Sequence, residues 1–217
     1  MDVEFRQMVD LLGGKTEGRV GSNDVVLWQC GIGKVNAAIG TMRLVEQHHP
    51  DCILSTGLAG GIDQSMRVMD VLVASETMYH DVWCGEGNVL GQVQGLPARF
   101  PANGSMLDFA RRLSSSGQSE RVVEGLLCTG DRFITDRSEQ SAIKHNYPQA
   151  LAVDMESTAI AHTCHCLNVP FLTIRVISDT PGHTDDHQQQ WNDFLASMCD
   201  RSFRWVSDYL NILPEHF

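Results

Sequence analysis

Short apolar, β-branched runs alternate with longer stretches of helical period along almost the whole chain, and that alternation leaves few folds open. Asp24–Cys30 (DVVLWQC), Cys52–Ser55 (CILS), Val71–Glu76 (VLVASE), Val122–Cys128 (VVEGLLC), Leu151–Val153 (LAV) and Phe171–Ile177 (FLTIRVI) predict strands. Most are apolar at successive positions rather than at every second one, as strands covered on both faces are. Helical spacing falls between them, over Lys34–His48, Ser138–Asn146 and Glu156–Leu167, and a long amphipathic helix is expected over Gln188–Leu210. The expectation is the α/β class: a three-layer α/β/α arrangement around a mixed, largely parallel central sheet. At 217 residues the chain is expected to be one domain spanning 1–217. The segment Val82–Gly104 has no clear period, and Ser114–Ser119 reads as an exposed turn. The start is unusual, because Val3–Leu12 already reads as a helix with a Gly13–Gly14 stop and no strand stands before it.

Charge narrows the partners. Sixteen Lys and Arg against 27 Asp and Glu give a net charge of −11, which repels nucleic-acid phosphates and anionic lipid. No apolar stretch approaches the roughly 18 residues that span a bilayer. Asp2 and Glu4 stand where a signal peptide would be positive, so a soluble, cytoplasmic protein acting on a small molecule is expected. Seven cysteines without CxxC spacing suit reduced thiols rather than a disulfide framework.

In open α/β sheets ligands bind beyond the carboxyl ends of the strands. There the sequence places Gly31-Ile32-Gly33-Lys34, Thr56-Gly57-Leu58-Ala59-Gly60-Gly61, Thr129-Gly130-Asp131-Arg132-Phe133, Asp154-Met155-Glu156 and Ser178-Asp179. Neither glycine loop has the spacing of a phosphate loop, and both also read as tight turns. Asp179 ends an apolar strand, where desolvation raises a carboxyl pKa and keeps a proton for general acid work. Glu156 opens a helix at the same rim, and Glu4 lies one turn into the first helix. Three carboxylates in three settings match an acid, a base and a hydroxyl anchor, the division of labour in glycoside cleavage. Each also has a plain structural reading, Asp179 and Glu156 as helix-capping or first-turn acids and Glu4 as a solvated side chain. His162, Cys164, His165 and Cys166 crowd together but on a helix point different ways, and His183-Thr184-Asp185-Asp186-His187 reads as a solvated loop; no metal is expected at either.

Taken together, Cys30–Ala38 (CGIGKVNAA), Thr56–Gly61 (TGLAGG), Asp70–Asp81 (DVLVASETMYHD), Thr129–Ile134 (TGDRFI), Ala152–Ala161 (AVDMESTAIA) and Arg175–Asp179 (RVISD) resemble the methylthioadenosine/S-adenosylhomocysteine nucleosidases of the nucleoside phosphorylase superfamily. The blocks fall in family order. The resemblance implies that Asp179 donates a proton to N7 of adenine, that Glu156 holds the ribose hydroxyls with Met155 against the sugar, and that Phe133 stacks on adenine while the Ile134 backbone reads its edge. It implies further that Glu4 positions the attacking water with help from Arg175, that Ala59, Gly60 and Ser178 belong to the substrate pocket, that the enzyme is a homodimer, and that neither metal nor organic cofactor is used. Three departures stand out. The family's glycine-ended first strand has no counterpart before the acidic helix, so a sheet short of one strand is expected. Leu58 replaces a small hydroxyl residue, and the 82–104 region matches poorly. A purine nucleoside phosphorylase, a hydrolase for another purine nucleoside such as futalosine, and a catalytically weakened nucleoside-binding protein are the alternatives. Phosphorolysis would need cations beside the TGLAGG segment, and none is near it in sequence.

Overall fold

The structure is a computed structural model that describes residues 2–116, 120–180, 189, 191–194 and 204–214. Helix α1 (Asp2–Leu11) comes first and stops where Gly13 and Gly14 take φ of 66° and 86°, a conformation without Cβ penalty. Strands β1 (Glu17–Val20) and β2 (Asn23–Val26) form an antiparallel hairpin apart from the central sheet. Then follow α2 (Lys34–His48), β3 (Ile53–Gly61), β4 (Val71–Tyr79), the short β5 (Phe100–Pro101), α3 (Gly104–Ser114), β6 (Val122–Thr129), α4 (Arg137–Asn146), β7 (Ala150–Asp154), α5 (Ser157–Leu167), β8 (Phe171–Asp179) and α6 (Arg204–Ile212).

The expected α/β class, with helices around a mixed sheet, is what the chain adopts. The long ladders β3–β8 and β4–β6 are parallel, as is β6–β7, whereas β3–β7, β4–β5 and β4–β8 are antiparallel. The β4–β8 pairing closes the strands β4, β6, β7, β3 and β8 into a ring. Ala59, Leu72, Ala74, Leu127, Ala152 and Ile177, from five strands, pack together as one buried cluster. On one outer face Val71, Val73, Leu172, Ile174 and Val176 meet Met106 and Ala110 of α3 and Trp205 and Tyr209 of α6. Another cluster joins Ala37 of α2 to Ala159, Ile160 and Cys164 of α5.

Four corrections follow. Only Asn23–Val26 of the run Asp24–Cys30 is strand, and it joins the hairpin rather than the central sheet. The run has strand propensity, but a strand also needs a neighbour for its backbone groups, and here that neighbour is β1. The stretch Thr56–Gly61 is not a loop but the second half of β3, paired to β8 and then to β7. Helix α3 lies in a stretch for which no helix was predicted; it buries Met106, Leu107, Ala110 and Leu113 along one face, and Asn103 Oδ1 caps it by accepting from the Met106 amide at 3.1 Å. Glu156 precedes its helix as the N-cap residue instead of opening it, and its side chain caps nothing. Of the predicted helix Gln188–Leu210, Trp191–Phe194 and the residues from Arg204 onward are helical; 188, 190 and 195–203 lie outside the described residues, as do 117–119 of the predicted turn. Among the described residues, no strand pairs with Ile53–Ala59 of β3 on the side away from β8.

Candidate active site

A cavity of about 840 Å³ opens along β3, and all ten residues singled out above line it: Glu4, Ala59, Gly60, Phe133, Ile134, Met155, Glu156, Arg175, Ser178 and Asp179. That volume lies in the range of small-molecule sites.

The buried floor is organised by Asp154, which ends β7. Its carboxylate accepts from Thr129 Oγ1 at 2.6 Å, from Arg175 Nε at 3.0 Å, and from the amide and hydroxyl of Ser157. Arg175 is 3% exposed; its Nη2 also donates to Ser55 Oγ at 3.1 Å. A buried guanidinium is tolerated because the carboxylate beside it and these further bonds replace water. Arg175 therefore stands beside the β3 segment that carries Gly57, contrary to the expectation that no cation comes near it. The reason is register: Gly57 and Arg175 are paired neighbours on β3 and β8, a proximity that the separation in sequence conceals.

Gly57 also shows why this strand is rich in glycine. A Cβ there would lie 2.9 Å from Glu4 Oε1 and 3.6 Å from the Arg175 guanidinium carbon, so a bare backbone lets the helix carboxylate and the strand guanidinium both come close to it. Glu4 is half-buried, and its Oε1 accepts from the Leu58 amide at 2.8 Å. Leu58 itself belongs to the core with Met8, Val73 and Val176. That position thus serves the site through its backbone while its side chain packs.

Glu156 is turned toward α2: the Gly33 amide donates to its Oε1 at 2.9 Å. Burial, then the Asp154 charge, push its carboxyl up to about 7; the Gly33 hydrogen bond and Arg175 pull it down, and Glu4 adds to the rise. On β8, Ser178 is fully buried with its Oγ 2.6 Å from Asp179 Oδ1 and 3.2 Å from the Ala59 carbonyl oxygen. Asp179 itself is 3% exposed. Phe133 is 47% exposed and meets Trp191 edge-on, with ring centroids 5.6 Å apart. Ile134 beside it is buried.

Several contributors escaped sequence reasoning. Asp154 could have been found from its place at a strand end three residues before Ser157, a spacing at which a carboxylate reaches a helix-start amide. Trp28 and Trp191 also line the cavity with no local motif to mark them, and so does Cys30, which opens the CGIGKVNAA block. Burial and then the Glu156 charge push the Cys30 thiol up, which keeps it a thiol rather than a nucleophilic thiolate. The His162–Cys166 segment divides as its spacing predicts. His162 stacks on Phe100 and bonds to the Tyr79 hydroxyl at 3.1 Å, Cys164 is buried in the core, and Cys166 is exposed. His183, Asp185, Asp186, His187 and Cys199 lie outside the described residues.

Asp179, Glu156 and Glu4, from a strand end, a helix N-cap and a separate helix, thus line one cavity beside a closed mixed sheet. In comparison with known proteins, the model of the phosphorylase superfamily matches residues 14–211. A 5'-methylthioadenosine/S-adenosylhomocysteine nucleosidase of Haemophilus influenzae (strain PittGG) is 41% identical over 187 residues, 86% of this chain and 80% of that protein. One from Actinobacillus succinogenes is 43% identical over 164 residues, 75% of this chain and 71% of that protein. Among solved structures, the nucleosidase of Neisseria meningitidis in complex with methylthio-immucillin-A superposes with a TM-score of 0.91 at 33% identity, covering 98% of this chain and 96% of that one. That of Colwellia psychrerythraea in complex with adenine gives 0.83 at 35% identity, with 89% and 80% covered. The chain belongs to the 5'-methylthioadenosine/S-adenosylhomocysteine nucleosidase family of the phosphorylase superfamily.

Proposed function

We propose that this cavity hydrolyses the N-glycosidic bond of 5'-methylthioadenosine and S-adenosylhomocysteine, releasing adenine and a 5-thio-substituted ribose. The observation that carries the reading is the convergence of Asp179, Glu156 and Glu4 on one cavity from β8, the N-cap of α5 and α1. Asp179 donates its proton to N7 of the purine as the bond from C1' to N9 breaks. The bonding electron pair leaves with the base, and the ribose gains oxocarbenium character. Water then bonds to C1' and gives its proton to Glu4. Glu156, as the anion, accepts from the ribose hydroxyls; Met155 packs on the sugar and Phe133 on the base, beside the Ile134 backbone.

Arg175 has a narrower part in this scheme. Its guanidinium is committed to Asp154 and Ser55, so it fixes the strand beside Glu4 and lends positive potential to the water site. The same guanidinium is the cation beside Gly57 that would favour phosphate as an alternative nucleophile, but Asp154 bonds to it directly and Glu4 Oε1 lies near the same glycine. Two carboxylates around one cation leave no net attraction for an anion.

The test is to incubate the protein with 5'-methylthioadenosine, with and without phosphate, and to follow adenine and the sugar product. Adenine release independent of phosphate is expected. Ribose 1-phosphate formation that requires phosphate would overturn the reading, as would tight binding without turnover.

The active form is read as a homodimer in the cytoplasm, with the whole chain acting as one unit. Support for a second copy comes from α2, whose outer face leaves Val35 68%, Ile39 47% and Met42 38% exposed at helical spacing, next to Ile32 at 52%. Light scattering on the wild type and on Val35→Asp tests it: a dimer that dissociates is expected. No helix among the described residues is long and apolar enough to cross a membrane.

A further inference from the structure

Three charged side chains outside the reacting centre join its two arms. Lys34 is the first residue of α2, directly after Gly33, whose amide holds Glu156. Its ammonium lies 2.8 and 2.7 Å from the two carboxylate oxygens of Asp81, just beyond β4, and 3.7 Å from Asp131 Oδ2. Asp81 Oδ2 also accepts from the Asp131 amide at 2.9 Å, and Asp131 Oδ1 accepts from the Lys34 amide at 2.8 Å. The loop so gripped continues into Phe133 and Ile134. Gly33 takes φ of +88°, and a Cβ there would lie 3.1 Å from Asp131 Oδ1. The helix N-terminus and the loop after β6 are thus pressed together at a glycine, with Lys34 and Asp81 as the clasp. The Lys34 and Asp81 side chains are each 22% exposed, so the pair is shielded from the screening that makes surface ion pairs weak.

We infer that Lys34 and Asp81 are positioning residues: they fix the distance between the Gly33 amide that orients Glu156 and the loop that carries Phe133 and Ile134. The inference rests on the reading of Glu156 as the ribose acceptor for its kinetic consequences, but not for its structural ones. Releasing the clasp lets the Gly33 amide withdraw from Glu156. The carboxyl then keeps the groups that raise its pKa, namely burial and the charges of Asp154 on β7 and Glu4 on α1. It keeps the pull of Arg175 on β8 and, beside it, the protonated thiol of Cys30. It loses the hydrogen bond that favours its anion.

The experiment compares wild type with Lys34→Met, Asp81→Asn and the conservative Lys34→Arg. The Glu156 carboxyl is titrated by carbon NMR in the free protein, and KM and kcat for 5'-methylthioadenosine are measured across pH. In Lys34→Met and Asp81→Asn the Glu156 midpoint is expected to rise from about 7, and KM to rise about tenfold, the worth of a hydrogen bond to a charged group, with kcat changed far less. Lys34→Arg is expected to restore most of both. An unmoved midpoint in folded Lys34→Met and Asp81→Asn overturns the inference, whatever happens to their melting temperatures. A moved midpoint in a protein that releases no adenine would leave the positioning role standing and sink the proposed reaction instead.

Discussion

The Glu4 carboxylate accepts a hydrogen bond from the Leu58 amide at 2.8 Å, joining the first helix to the middle of β3 across 54 residues of sequence. The amide that holds it belongs to a side chain buried in the core, so the carboxylate is held by a rigid strand. Glu4→Gln keeps this acceptor but cannot take a proton from water. Its kcat is expected to fall by about 10²–10³-fold with KM little changed, measured as adenine release at fixed pH.

Asp179→Asn removes the proposed acid. A loss of about 10²–10⁴ in kcat is expected for 5'-methylthioadenosine. A substrate carrying a leaving group that needs no proton is expected to suffer much less, and equal losses on both substrates would exclude proton donation by this residue.

Glu156 makes two pH predictions of opposite sign. Its carboxyl is raised in the folded protein to about 7, so the fold binds this proton more tightly than the unfolded chain does. The resulting stabilisation is fully present below the ordinary carboxylate pKa and is lost as pH rises to about 7. Under the proposed reading ribose binding, in contrast, needs the anion and strengthens over the same window. Urea midpoints that fall, together with KM values that also fall, between pH 5 and 7.5 are expected. Glu156→Gln is expected to flatten both curves.

Gly57→Ala tests the close approach of strand, helix and guanidinium. The added methyl would meet Glu4 Oε1 at 2.9 Å and must displace it. Because a misplacement of about 1 Å can cost on the order of 100-fold in rate, activity is expected to collapse while the melting temperature changes modestly.

Arg175→Met leaves Asp154 buried with its principal charge partner gone. A destabilisation of about 3–5 kcal/mol is expected by urea denaturation, larger than for any variant above. Asp154→Leu in the same background is expected to recover part of it, because the unpaired charge goes with it.

Legibility in the sequence followed distance along the chain. Asp179, Glu156 and Met155 could be read because each stands next to a strand end, where position in the fold and position in the sequence coincide. Gly57 to Gly61 misled because glycine composition signals turns, whereas here the glycines keep a strand bare so that groups on neighbouring elements can close on it. The proximity of Arg175 to Ser55, and the clasp of Lys34 with Asp81 and Asp131, depend on strand order and loop meeting, which no local pattern encodes. The run Asp24–Cys30 had the right propensity but its partner was decided by topology.

The ring formed when β4 pairs with β8 has a mechanical consequence. Strands bonded to neighbours on either hand cannot splay as the halves of an open sheet can, so the spacing between Asp179 on β8 and Asp154 on β7 is expected to change little when the cavity is filled. Any widening of the cavity is then expected in the wall outside the ring, where Phe133 meets Trp191 edge-on, rather than in the strands themselves.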